Sequence, residues 1–293
     1  MDKNKQYQFI LILIIAMVCW GIAWPSGKVL VRYSDVATVM FWRFFLSFVS
    51  FLPVVYFTNS FELPKTKLSF ALTLLGSALY VGYTIFFFLG LKSGLPGLGG
   101  VLVTTLNPII TFVFVTLLTR KKVQQNEWIG LFFGVCAGIF LLKIWEISLD
   151  DITQSGNIFF LCASMTWAVL TLITQRSSKT FSGFSYSLYL YFFSGIAMLP
   201  FTSIPKITEV FQFDFLFWFN LFYTAVISTS FGTTVYFLAS GKLGSKTSSS
   251  FIFLVPVSAF LSSWFFLGET PSIFTILGGT FGIVAIYFLN RSS

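Results

Sequence analysis

Ten apolar stretches, each long enough for a helix to cross a bilayer and separated by short polar turns, constrain this chain more than any other feature. They run at about 9–31, 36–57, 68–90, 98–119 and 127–144, then 156–174, 184–203, 213–239, 247–267 and 272–290. A helix needs about 20 apolar residues to span the hydrocarbon core, where every backbone polar group must be bonded within the protein. Barrel strands would be half as long with strict alternation, and no such alternation appears. Only 10% of the 293 residues are charged against 56% hydrophobic. That is too little charge to coat a water-facing surface, for which about 25% is usual. The sequence predicts an all-α integral membrane protein of ten transmembrane helices.

The formal net charge is +8, and the cations gather in alternate turns. With the N-terminus inside, the inner connections hold Lys3, Lys5, Lys65, Lys67, Arg120, Lys121, Lys122, Arg176, Lys179, Lys242, Lys246 and Arg291. The outer connections hold only Arg32, Lys92, Lys143 and Lys206. Basic turns resist translocation, so both termini are expected on the cytoplasmic side of a bacterial inner (plasma) membrane. A slip of one span would scramble this segregation. Cations spread over membrane turns do not make a nucleic-acid face. The expected partners are membrane lipids and a small-molecule substrate, with the chain working as a monomer or homodimer. The first apolar stretch follows Lys3 and Lys5 but runs to about Val31 without a small-residue cleavage site, so it reads as a retained span. Trp42, Trp128, Trp145, Trp218 and Trp264 fall near span ends, where an indole is expected at the headgroup level.

The chain has no histidine, which removes imidazole bases and His-ligated zinc. Cys19, Cys136 and Cys162 sit inside apolar runs and read as small buried hydrophobes rather than a disulfide framework. No aspartate or glutamate lies deep in a span. A proton relay or sodium site built on an intramembrane carboxylate is therefore not expected, nor is a metal centre or a cofactor.

Five spans followed by five invite a search for a repeat. At an offset of 148 residues, Leu106-Asn107-Pro108 falls on Leu254-Val255-Pro256, Gly130 on Gly278, and Gly134 on Gly282. Cys19-Trp20 matches Thr166-Trp167 at an offset of 147. The small-residue run Gly94 to Gly100 corresponds to the region from Lys242 to Ser248. An odd number of spans per unit makes the halves insert in opposite senses, so the expected fold is two inverted five-helix repeats (5+5), residues 1–148 and 149–293. Inverted repeats enclose a midplane site that opens to each side in turn.

Several pieces together resemble the EamA type of the drug/metabolite transporter superfamily: Trp20-Gly21 with Lys28, Arg43 in the second span, and Phe88-Leu89-Gly90-Leu91-Lys92-Ser93 leading to Asn107-Pro108. The strongest is Leu254-Val255-Pro256-Val257-Ser258-Ala259-Phe260, followed by Leu267-Gly268-Glu269 and Gly278. The resemblance covers essentially the whole chain, and order and spacing carry it. One departure is clear: Arg120-Lys121-Lys122 stands where the family often has a glutamate, which Glu269 retains in the second half. The resemblance implies a ten-helix carrier, outward transport, and a cavity lined by the third and eighth spans.

Candidate site residues follow from cost. A charge inside a span costs about 2.5–3.5 kcal/mol on insertion scales. Lys28 and Arg43 are therefore candidates for a cationic vestibule that draws a substrate carboxylate or phosphate; the alternative is snorkelling or pairing with Asp35 or Glu269. Trp20, Trp24 and Lys28 repeat at i, i+4, i+8 along one helical face. Trp20 and its mate Trp167 lie too deep for a headgroup belt, and an indole there stacks on a planar or cationic group or simply packs. Asn107 offers an amide at mid-depth. Pro108 and Pro256 free backbone carbonyls and read as hinges. Tyr80, Tyr83 and Tyr236 are carried as ligands on the strength of the resemblance. Tyr223 and the hydroxyls of Ser228, Thr229, Ser230, Thr233 and Thr234 read as interhelical glue.

The expected function is a secondary transporter of small organic metabolites, amino acids or related compounds, working by alternating access. A multispan membrane enzyme acting on lipid or headgroup substrates is the alternative, but it needs an acid, base, metal or activated nucleophile that these spans lack. A channel would want a repeated polar ring, and none is present.

Overall fold

The apolar stretches become helices in a computed structural model of the chain, which describes residues 3–93, 96–120, 122–146, 157–267 and 272–291. The first half contributes α1 (Lys3–Tyr33), α2 (Val36–Phe57), α3 (Lys67–Ser93), α4 (Pro96–Thr119) and α5 (Gln125–Leu142). The second contributes α6 (Asn157–Ser177), α7 (Gly183–Met198), α8 (Phe215–Leu243), α9 (residues 245–267) and α10 (Ile273–Arg291). The expected boundary at 148/149, Gly94, Lys121, Gly268 and Glu269, and the side chain of Trp264 lie outside the described residues.

Nine of these helices are long and apolar enough to cross a membrane, counted among the described residues. The remaining run, α9, is helical in pieces: Ser245–Ser250, a 3₁₀ turn at Phe251–Phe253, then Leu254–Leu267. Pro256 explains the break, because it has no N–H to give the Ile252 carbonyl and the backbone tightens ahead of it. Pro108 instead sits inside an unbroken α4.

The glycines found at the 148-residue offset meet in symmetric pairs. A Cβ on Gly130 would lie 2.6 Å from Leu289 Cγ, and one on Gly278 would lie 2.6 Å from Leu141 Cγ. Leu141 and Leu289 are themselves repeat mates at that offset. The start of α5 thus meets the end of α10, and the reverse, so the two helices run antiparallel. This is the contact that an inverted pair of five-helix repeats requires, and the protein is an all-α, multi-pass membrane protein of that architecture.

At the end of the bundle remote from the N-terminus, the α1–α2 corner docks on the segment between α7 and α8. Asp35 caps α2 by accepting from the Thr38 amide and pairs with Lys206 at 3.1 Å. Tyr33 donates to Asp214 at 2.8 Å, and Trp42 Nε1 donates to the Ile207 carbonyl at 3.1 Å. Trp42 is therefore not a headgroup anchor: the short helix Ile204–Glu209 covers it, leaving it 8% exposed. Trp128 and Trp145 are exposed, as expected of anchors. At the N-terminal end, Lys246 pairs with Glu127 at 2.8 Å over the face of Phe112, and Lys242 lies over Phe9.

The Asp35 contact has a pH consequence. Burial alone would raise its carboxyl, but the Thr38 amide and the Lys206 ammonium outweigh that and hold it below the ordinary 3.8. A depressed carboxylate contributes stability that is complete above about pH 4 and disappears as pH falls through the lower folded value. Both partners are substantially exposed, so the effect stays under about 1 kcal/mol. Thermal unfolding of Asp35→Asn from pH 6 down to pH 3 should show a shallower acid limb than the parent protein; parallel curves would deny the contact any role in solution.

Candidate functional site

The i, i+4 spacing on α1 turns Trp20 and Trp24 to the bundle interior, where α3, α4, α6, α8 and α9 converge. They line a small central chamber of about 50 Å³ together with Arg43, Tyr83, Asn107 and Trp167. Trp20 and Trp167, the repeat mates, meet edge to face with ring centroids 5.1 Å apart. The Trp20 indole donates to the Ser228 carbonyl at 3.0 Å. Tyr83 closes on Trp167 at 4.4 Å. The chamber therefore sits where the two inverted halves meet.

Arg43 is the chamber's cation. Its Nε and Nη2 donate to Thr229 Oγ1 at 3.1 and 2.9 Å, and its guanidinium carbon lies 5.7 Å from the centre of the Phe88 ring. Among the described residues, the buried Nη1 has no hydrogen-bond partner and no carboxylate lies within ion-pair distance of it. Asn107 donates through Nδ2 to the Ser164 carbonyl at 3.2 Å, while Oδ1 is buried and likewise without a partner among the described residues. One donor and one acceptor are thus left over in a chamber walled by indoles. A buried charge left without its full set of bonds is costly, and this pair is an unsatisfied polar feature of the chamber.

The other candidates lie behind or beyond this wall. Tyr80 is fully buried and stacks on Tyr83 at 6.4 Å. Tyr236 shares a hydroxyl hydrogen bond of 3.0 Å with Thr171 and packs on Trp20 at 5.1 Å. Both support the lining rings from the second row. Lys28 does not reach the chamber: its ammonium donates to the Leu91 carbonyl at the end of α3, where terminal carbonyls lack helical partners. Pro108 leaves the Thr104 carbonyl without its helical N–H, and Thr104 is itself part of the lining.

Several lining residues carry no sequence signal: Ala23, Phe87, Val103 and Ile252 are ordinary apolar span residues, while Val255 stands at the repeat position of Asn107. The local form of α8 is also unexpected. From Tyr223 to Thr233 it is wound as a π-helix, a form common at functional sites. Its small and hydroxylated residues let neighbours approach, and its carbonyls at Ala225, Ser228 and Thr229 accept hydrogen bonds from Ser47, Trp20 and Tyr191. Three other helices thereby hold the wide turn in place, and it delivers Thr229 to Arg43.

The chamber holds a cation, an amide, hydroxyls and aromatic faces, which are groups that bind rather than groups that exchange protons near neutral pH. A crystal structure 14% identical in sequence superposes with a TM-score of 0.73 over 98% of both chains. An "Uncharacterized transporter YyaM" of Bacillus subtilis is 23% identical over 96% of this chain and 93% of its own. An "S-adenosylmethionine uptake transporter" of Rickettsia felis is 24% identical over 87% of this chain and 82% of its own. The model of the EamA-like transporter family matches twice in succession, at residues 8–143 and 154–291. The family and these relatives point to transport rather than to an enzyme: the chain belongs to the EamA-like transporter family.

Proposed function

We propose that the protein is a secondary transporter moving small organic metabolites, amino acids or related compounds, outward across a bacterial plasma membrane by alternating access. In this reading both termini are cytoplasmic, the halves divide near residue 148, and the chamber lined by Trp20, Trp24, Arg43, Tyr83, Asn107 and Trp167 is the substrate site. Tyr80 and Tyr236 back it, Pro108 and Pro256 serve as hinges, and Lys28 is a positioning residue rather than a ligand. The observation that carries the reading is the unsatisfied pair in the chamber: Arg43 Nη1 as donor and Asn107 Oδ1 as acceptor. A zwitterionic amino acid supplies a carboxylate for the first and an ammonium for the second, and the indole faces suit a cationic or planar remainder. S-adenosylmethionine, for which the Rickettsia relative is named, carries both an amino-acid head and a planar base, which supports this choice of chemistry.

Size argues for a moving site. About 50 Å³ accommodates one or two waters, far below the roughly 300–1,000 Å³ of a typical ligand pocket. The conformation described is therefore a contracted one, and binding requires the helices to part. The test is counterflow in proteoliposomes with a panel of labelled amino acids and S-adenosylmethionine. Saturable exchange of a chemically unchanged substrate is expected, with faster net efflux than influx in oriented vesicles. A product altered in mass would replace the reading with an enzyme, and influx exceeding efflux would reverse the direction.

A further inference from the structure

Below the central chamber lies a larger one of about 200 Å³, bounded by the ends of α6 and α8 and the start of α7. Its walls include Thr174, Ser178, Tyr186, Phe237, Gly241 and Lys242. Along α6 it begins one to two turns beyond Trp167, and along α8 one to two turns beyond Thr233. Seven residues of helix rise about 10 Å, so the two chambers are stacked along the bundle. Lys242 at the lower rim lies over Phe9 near the start of α1, which places the opening at the N-terminal, basic end.

Stacked aromatic rings stand between the chambers. Trp167 faces the upper one and Phe237 the lower one, with their rings stacked at 5.9 Å and 26°. Tyr80 packs on both rings, at 6.1 Å from Trp167 and 6.3 Å from Phe237. Tyr186, on the far wall of the lower chamber, meets Phe237 edge to face at 5.9 Å. Phe237 is 1% exposed and makes no polar contact, so swinging it aside costs packing but breaks no hydrogen bond. The floor is also narrow by construction. A Cβ on Gly241 would come within 2.6 Å of Ser178 Cβ, and one on Gly183 within 2.7 Å of Leu238 Cδ2, so α8 is held tightly against α6 and α7 around this space.

We propose that the lower chamber is a substrate vestibule at the N-terminal face, that Phe237 stacked on Trp167 is its gate to the central site, and that Lys242 attracts the carboxylate of an arriving substrate. This rests on the transporter reading above and deepens it by assigning a route.

The experiment reads accessibility and does not need transport. In a background with Cys19, Cys136 and Cys162 replaced, Ser178→Cys should be modified by a membrane-impermeant thiol reagent from the N-terminal face only. Thr104→Cys, in the central chamber, should resist the reagent from that face while Phe237 is present and become reactive with Phe237→Ala; Phe237→Leu serves if the alanine variant does not fold. Lys242→Gln should raise KM for a carboxylate substrate presented at that face by about two- to fivefold, as an exposed charge contributes, with kcat unchanged. Ser178→Cys unreactive from that face, or Thr104→Cys equally protected with and without the Phe237 ring, would overturn the route. Counterflow absent from the unmodified protein would instead defeat the transporter reading, and the labelling pattern would still stand or fall by itself.

Discussion

Arg43→Gln should lower kcat/KM for carboxylate-bearing substrates by about 10- to 100-fold while leaving the folded protein intact. The first part follows from losing a charge-assisted hydrogen bond to substrate, about 1.5–3 kcal/mol. The second follows from the surroundings: among the described residues the buried Arg43 side chain has Thr229 and the Phe88 face as partners, and no described carboxylate would be stranded by its removal. Removing a lone buried cation relieves a desolvation cost instead of creating one. Arg43→Lys should fall between the two, since an ammonium keeps the charge but loses the planar fork that grips Thr229 and still presents Nη1. The measurements are counterflow kinetics and thermal unfolding in the same detergent. Kinetics unchanged in Arg43→Gln would reduce Arg43 to an anchor, and a collapse of Tm without an intact variant would make it structural.

Gly21→Val should have the opposite signature, losing stability and transport together. A Cβ at position 21 would stand 2.1 Å from Ser258 Oγ, 2.7 Å from the Ala259 nitrogen and 2.8 Å from the Val255 carbonyl oxygen. Two of these atoms are backbone and cannot rotate away, so α1 and α9 must separate. Overpacking of this kind costs about 1–3 kcal/mol for far milder insertions. The crossing lies beside Trp20 and Val255, both in the chamber wall, so the site distorts with the helices. Gly82→Ala is the control, because the nearest atom there, Thr166 Cγ2, sits at an ordinary 3.7 Å. Equal stability of Gly21→Val and Gly82→Ala would show that the α1–α9 contact is looser than described.

Much of the lining of the candidate chamber was readable in the sequence. Arg43 and Asn107 are groups that a lipid-facing helix excludes, so their presence in mid-span marks an interior position, and Trp20 and Trp167 stood out by lying too deep for a headgroup belt. Lys28 satisfied the same rule and went elsewhere: its flexible stem reaches a carbonyl 63 residues away in sequence, a partner that no spacing along α1 reveals. Trp42 looked like an interfacial anchor because it follows the start of its span closely, yet a six-residue helix folds over it.

The amino-acid sequence by itself determined the number and extent of the apolar runs, the pairing of two halves and the residues too polar for lipid. The runs and the polar exceptions depend only on the transfer of a segment from water to hydrocarbon, a property of composition and length, and the pairing of halves on the 148-residue offset. Only the tertiary structure decided which helical faces meet. In a bilayer the face that packs on protein and the face that meets lipid are equally apolar, so nothing in hydropathy separates Phe87, Val103, Phe237 and Val255 from the phenylalanines, valines and leucines outside. The π-wound turn of α8, the small central chamber and the rings beneath it follow from that meeting of faces.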